Sequence, residues 1–252
     1  NEMFLDSASL RSSIVSHAKT LGYVPTSARA AKATVDVTLN TNDTTATMSS
    51  GTVFNTTVND VSYQFSTITD VTKSNTGNTI PFVGIDIYEG TFITTRYTVD
   101  SSDIDQRFVL TDNRADTSTL IVKVQTSSTD SSSNTFTEAT DITQVAGGSN
   151  VYFLQEVEAG LFEIYFGDGI IGTALSDDNI VILTYVVSNK AAANGATLFS
   201  NAAAIASVTD ISVATSAIAS AGAAPESLSS IKYNAPLDYA SQGRCVTSED
   251  YK

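Results

Sequence analysis

Two apolar runs flank a polar, glycine-rich centre in the stretch from Val151 to Asn189, and the rest of the chain is read around them. In the first run Phe162, Ile164 and Phe166 fall on one strand face, with Leu161, Glu163 and Tyr165 on the other. In the second, Ile180, Ile182 and Val186 share a face opposite Val181, Leu183, Tyr185 and Val187. A strand apolar on both faces is usually central and covered on both sides. Between the runs lie Gly167-Asp168-Gly169 and Gly172, residues suited to turns with positive φ. The pattern predicts two buried strands joined by an elaborated connection.

Earlier in the chain, Leu10, Ile14, His17, Ala18 and Leu21 form one stripe at about 100° per residue, predicting a helix over 6–22. Asp6 or Ser7 can cap it, and Gly22 suits the position just past its end. Strands are expected over 34–39, 52–54 and 62–68, with a polar turn at 40–45 and a loop at 74–78. A strand pair broken around Glu89-Gly90 spans 80–93. Short strands at 107–110 and 119–125 follow. Residues 127–135 (SSTDSSSNT) read as an exposed loop, and Phe136, Ile142 and Val145 lead into the central stretch. Ala202 to Ser220 suits helix by its alanines and strand by Val208, Ile211 and Val213; strand is favoured at 207–215. Pro225 opens a short helix with Glu226 in its first turn, expected to stop before Pro236. Thr247-Ser248-Glu249-Asp250 reads as the cap of a further helix that the sequence cuts off, so the chain is expected to be a piece of a longer protein.

The fold class that follows is mainly β, or α+β. It comprises an N-terminal helical segment (1–34), a first β domain (35–95, continuing at 188–224), an inserted β domain (96–187) and the start of a C-terminal helical region (225–252).

Composition narrows the function classes. The 252 residues include 27 acidic and 13 basic side chains, a net charge of −14. That disfavours nucleic acid, whose binding rests on neutralising phosphates. No apolar run approaches the roughly 20 residues that a membrane-spanning helix needs. The single cysteine, Cys245, cannot form an internal disulfide. The single histidine, His17, lies mid-stripe with no second histidine or nearby cysteine, and is read as a packing or subunit-contact residue rather than a ligand or general base. No metalloprotease, redox, phosphate-loop or dinucleotide motif is present, so no catalytic, cofactor or metal residues are assigned. Glu156, Glu158 and Glu163 are carboxylates that a glycosidase-like pair would need, and nothing in their spacing singles them out. Asp168 with Asp177-Asp178-Asn179 offers oxygen ligands for calcium, but the spacing fits no EF-hand loop, and Asp168 is read as bonding its own turn. Arg244 and Glu226 pair with each other, with a neighbouring chain, or lie on an ordinary surface.

Four stretches, in order, carry a family resemblance. They are Leu21-Gly22-Tyr23-x-Pro25 with Ala30-Ala31-x-Ala33-x-Val35; Phe166-Gly167-Asp168-Gly169-x-x-Gly172 with Asn179-Ile180 and the strand ending in Tyr185; Asn194-Gly195-Ala196; and Glu226-Ser227, Ile231, Ala235-Pro236 and Arg244-Cys245-Val246-Thr247-x-x-Asp250-Tyr251. The chain resembles the baseplate wedge proteins of T4-like contractile-tailed phages, within the J-type baseplate family. It departs from the broader pattern at Gly222-Ala223-Ala224-Pro225, Lys232 and Cys245. The resemblance implies a non-enzymatic virion protein of the tail baseplate, assembled in the host cytoplasm. It implies contacts with copies of itself as a dimer or ring around the hub, with other wedge proteins and with the sheath-initiating protein, and no cofactor, nucleic acid or membrane. The expected subunit interface comprises Leu10, Ile14, His17, Leu21, Glu226 and Arg244. The competing reading is an extracellular β-rich binding module, an adhesin or carbohydrate-binding domain, which would gather exposed aromatic side chains on one sheet or loop end.

Overall fold

The computed structural model describes residues 2–103, 106–139 and 144–241. Among them, strands dominate, in two sheets that each curl almost closed. A small helical layer packs alongside.

The first sheet contains β1 (Lys32–Asn40), β3 (Val53–Val58), β4 (Val61–Ser66), β6 (Thr79–Glu89), β14 (Ser200–Asn201) and β15 (Ile211–Ser220), in the order β14-β3-β4-β6-β1-β15. Strict alternation along β1 points Ala33, Val35, Val37 and Leu39 inward. There they meet Phe54, Phe65, Ile80, Phe82 and Ile87. A two-stranded sheet of β2 (Thr45–Met48) and β5 (Val71–Ser74) adds Ala46 and Met48 to this core. Both strands are only four residues long, and β5 is mostly exposed, so the sequence pattern did not reveal them.

The second sheet runs β7-β13-β9-β10-β11-β12-β8. Its strands are β7 (Thr91–Thr98), β8 (Phe108–Val109), β9 (Ala115–Gln125), β10 (Ser133–Glu138), β11 (Val151–Glu156), β12 (Phe162–Phe166) and β13 (Ile180–Val187). Its two ends are drawn together where the Tyr97 hydroxyl donates to the Val109 carbonyl (2.6 Å) and the Tyr97 and Phe108 rings meet edge-to-face. Val122, Leu154, Phe162, Ile164, Val181, Leu183 and Tyr185 fill the interior. Of the central pair, Phe162 and Ile164 face inward as their alternation predicts, but β13 is not covered on both sides. Ile180 and Ile182 stay half-exposed on the outside, and only the strand's last residues, Tyr185, Val186 and Val187, are buried on both faces.

The chain leaves the first sheet at Glu89, enters the second at Thr91 and returns after Val187. The two strands around Glu89-Gly90 therefore belong to different sheets and do not pair. Gly90, at φ +126°, makes this crossing possible: a Cβ there would stand 2.2 Å from the Val187 carbonyl oxygen.

Helix α1 (Arg11–Thr20) is shorter than its stripe suggests. Its N-terminus is capped from a distance, the Glu2 carboxylate accepting from Ser9 N, Ser9 Oγ and Leu10 N. These donors hold the Glu2 carboxyl down at about 2. At the other end Gly22, with φ +81°, sits at the expected C′ position: Gly22 N donates to Lys19 O and Tyr23 N to Ala18 O, a Schellman pair.

Helix α2 (Leu228–Ser241) corrects the expectation that the last helix stops before Pro236, for it continues through that residue. Proline there forgoes a backbone bond at a cost of about 3 kcal/mol. Packing offsets the loss, since Ile231 and Ala235 are fully buried against Ile14, Val15 and Ala18 of α1. Two further corrections are small: residues 133–135 of the expected loop are strand, and the late strand runs over Ile211–Ser220. Ile142, Arg244, Cys245 and the expected helix cap at 247–250 lie outside the described residues.

Candidate assembly surface and the junction beneath it

The helices α1 and α2 and the segment before them form the layer where the expected interface residues lie. Ile14 is fully buried between α1 and α2, and Leu21 is partly buried in the same cluster. His17 is half-buried, its Nε2 2.9 Å from the Glu2 carbonyl oxygen. Leu10 is the one clearly exposed apolar member, at 59%. The structure thus uses Ile14, Leu21 and Glu226 first to join the two ends of the chain. Met3 and Phe4 before α1, and Tyr233, Leu237 and Tyr239 on α2, are all exposed.

Glu226 is a local hub. Its carboxylate accepts from the Tyr23 hydroxyl, Thr26 N, Ser230 Oγ and Asn234 Nδ2, at 2.6–3.1 Å. Burial alone would raise this carboxyl, but the four donors outweigh it and hold it below the ordinary range. Tyr23 is pushed up to about 12 by burial and by the facing carboxylate.

Arg11 ties the layer to the second barrel. Its guanidinium grips Glu156 through two bonds of 2.6 and 2.8 Å and donates a third to the Glu226 carbonyl oxygen at 2.7 Å. The Glu156 side chain is 1% exposed. Glu163, on the neighbouring strand, is held by Arg107 and Gln155, and its carboxyl is lowered chiefly by the Arg107 bond. Two of the three carboxylates named as acid–base candidates are therefore engaged in fixed ion pairs.

The passage between barrels is clamped by polar contacts. Glu89, completely buried, accepts from Asn189 N (2.8 Å) and Asn189 Nδ2 (2.7 Å). Burial raises its carboxyl, partly countered by these donors. Beside it, Asp116 Oδ2 accepts from Ala30 N (2.8 Å), and Ser27 Oγ lies 2.9 Å from Thr117 Oγ1. Neither Glu89 nor Arg11 carries a signal in the sequence. Their partners lie 100 and 145 residues away, and no local period marks them.

The acidic turn residues are also occupied. Asp168 Oδ1 accepts from Ile170 N and Ile171 N (2.9 and 3.0 Å), and Asp177 Oδ1 from Ser101 N (2.8 Å). No three His, Cys, Asp or Glu side chains converge as a metal site among the described residues. No helix among them is long and apolar enough to cross a membrane.

No protein-family model matches the chain. Among curated proteins it is similar to the baseplate wedge protein gp6 of Enterobacteria phage T4, with 26% identity over 277 aligned positions. The alignment covers 99% of this chain, which spans about two fifths (41%) of that relative. The chain is a distant relative of a phage baseplate wedge protein.

Proposed function

We propose that this chain is a structural subunit of a phage tail baseplate and performs no bond-making chemistry. The two barrels act as rigid spacers, the second inserted in the first, with its start marked by the crossing at Gly90 rather than near residue 96. The helical layer supplies the subunit contacts, with Leu10 on its surface and Ile14, Leu21 and Glu226 shaping it from beneath. His17 and Arg244 belong to the same proposed interface. Its partners are copies of itself in a dimer or ring, other wedge proteins and the protein that initiates the sheath, all within the virion.

The observation that carries this reading is the similarity, along 99% of this chain, to part of a wedge protein. The exposed apolar and aromatic side chains of the helical layer support the self-contact, because such a surface is commonly covered in an assembly. Solution mass by light scattering tests it. A dimer or larger species is expected, dissociating in the L10E/Y233E variant, whose substituted side chains are exposed and leave the fold intact. A strictly monomeric chain at high concentration would remove self-association from the proposal.

A further inference from the structure

The outer wall of the second barrel carries a feature the baseplate reading does not use. Arg96, Ile182 and Lys123 stand in one row across β7, β13 and β9, since Ile182 is the register partner of both cations. Adjacent strands are about 4.8 Å apart, so the two cationic stems rise about 10 Å from each other, on either side of the isoleucine. The next row is Thr94, Thr184 and Ile121. This wall floors an open trough of about 670 Å³, bounded by residues 68–70 of the first barrel and by Ser131 and Ser133.

Its charge is opposite to that of the chain. The net charge is −14, yet the trough is lined by two cations and one acid, Asp70. The Asp70 carboxylate accepts from Ser50 N at 2.7 Å. Neither Arg96 nor Lys123 closes an ion pair among the described residues, although Asp70, held first by its Ser50 bonds, lies close enough to feel the Lys123 charge. Half-exposed Ile121 and Ile182 add an apolar strip where a barrel exterior ordinarily carries polar residues.

We propose that this trough binds an acidic segment of a partner protein. Two carboxylates of the segment meet Arg96 and Lys123, and an apolar side chain between them covers Ile182. Complementary charge of this kind steers encounter and fixes register, while the apolar strip supplies burial. Nucleic acid fits poorly, because two cations neutralise few phosphates and the remaining surface repels them.

The test is a heteronuclear NMR titration of the chain with an alternating Glu-Leu peptide, with an alternating Lys-Leu peptide and a short single-stranded DNA in parallel. The expected result is amide shifts centred on Arg96, Ile182 and Lys123 with the Glu-Leu peptide alone. R96E/K123E should weaken binding about tenfold or more, in line with the loss and reversal of two exposed ion pairs. R96Q/K123Q should give an intermediate loss, and K73E none. Undisturbed spectra elsewhere would show that these variants are folded. Shifts centred on another surface, no binding, equal binding by R96E/K123E, or equally strong DNA binding in the trough would each overturn the proposal. The result is independent of whether the chain belongs to a baseplate.

Discussion

Glu89 and Asn189 hold the two crossings between the barrels together: the buried carboxylate accepts from both the backbone and the side-chain amide of Asn189. One residue ends the outgoing strand, and the other follows the returning one. The pair closes the neck through which the second barrel joins the first.

Asn189→Ala removes one of the two donors to a buried carboxylate. A bond to a charged group is worth about 1.5–3 kcal/mol, so urea melts at neutral pH should show a loss of that order. The pH dependence has a fixed sign. Burial raises the folded carboxyl of Glu89, so the folded state binds its proton more tightly than the unfolded state. Stability relative to the titration-free Glu89→Gln variant should therefore rise as pH falls from neutral through the raised folded pKa, then level off below the unfolded one. A gap between wild type and Glu89→Gln that stays constant through mildly acidic pH would contradict the burial argument.

Gly90 and Gly84 form a matched comparison. Both have positive φ, +126° and +70°, but a Cβ at Gly84 meets nothing within 4 Å, whereas one at Gly90 collides with the Val187 backbone. Gly84→Ala should cost about 1 kcal/mol for its backbone conformation alone. Gly90→Ala should cost clearly more, about 3 kcal/mol or above, because the two crossings must separate. Equal melting temperatures for the two variants would show that the neck is looser than described.

Arg11 pairs with a carboxylate that is 1% exposed, although Arg11 itself is 29% exposed. Arg11→Ala leaves Glu156 buried without its cation and should cost about 3 kcal/mol. The double variant Arg11→Met/Glu156→Leu should recover much of that loss. A double-mutant cycle by thermal or urea melts measures it, and additive single losses would argue against coupling between the helical layer and the second barrel.

Asp168 gives its carboxylate oxygen to two backbone amides of its own turn, which hold its carboxyl below the ordinary range. A group lowered in this way contributes stability above its unfolded pKa and loses it as pH falls through the folded one. Because these turn amides already occupy the carboxylate, chelation is expected to leave the melting temperature unchanged. A marked drop would restore Asp168 and Asp177 as ligands.

Much of the fold was legible where a local period or cap marks it. The alternation in β1, β12 and β13, the break at Glu89-Gly90 and the C′ role of Gly22 all follow from short-range chemistry. What escaped the sequence depends on distance. The stripe through Ile14 was expected to meet a neighbouring subunit, but Ile14 is covered by α2 of the same chain, more than two hundred residues later. The same packing carries α2 through Pro236 against its local preference. The parallel pairing of β10 with β11 and the closure of each sheet by its end strands follow from no local signal. Of the expected interface residues that the structure describes, Leu10 alone is clearly exposed, and Leu237 joins the last helix only because α2 runs on past Pro236.

A cryo-electron microscopy map of the tail that contains this chain tests the central claim most directly. The account predicts both barrels within the baseplate, with the helical layer against a neighbouring subunit. Finding the chain outside the baseplate, with its helical layer open to solvent, would contradict it.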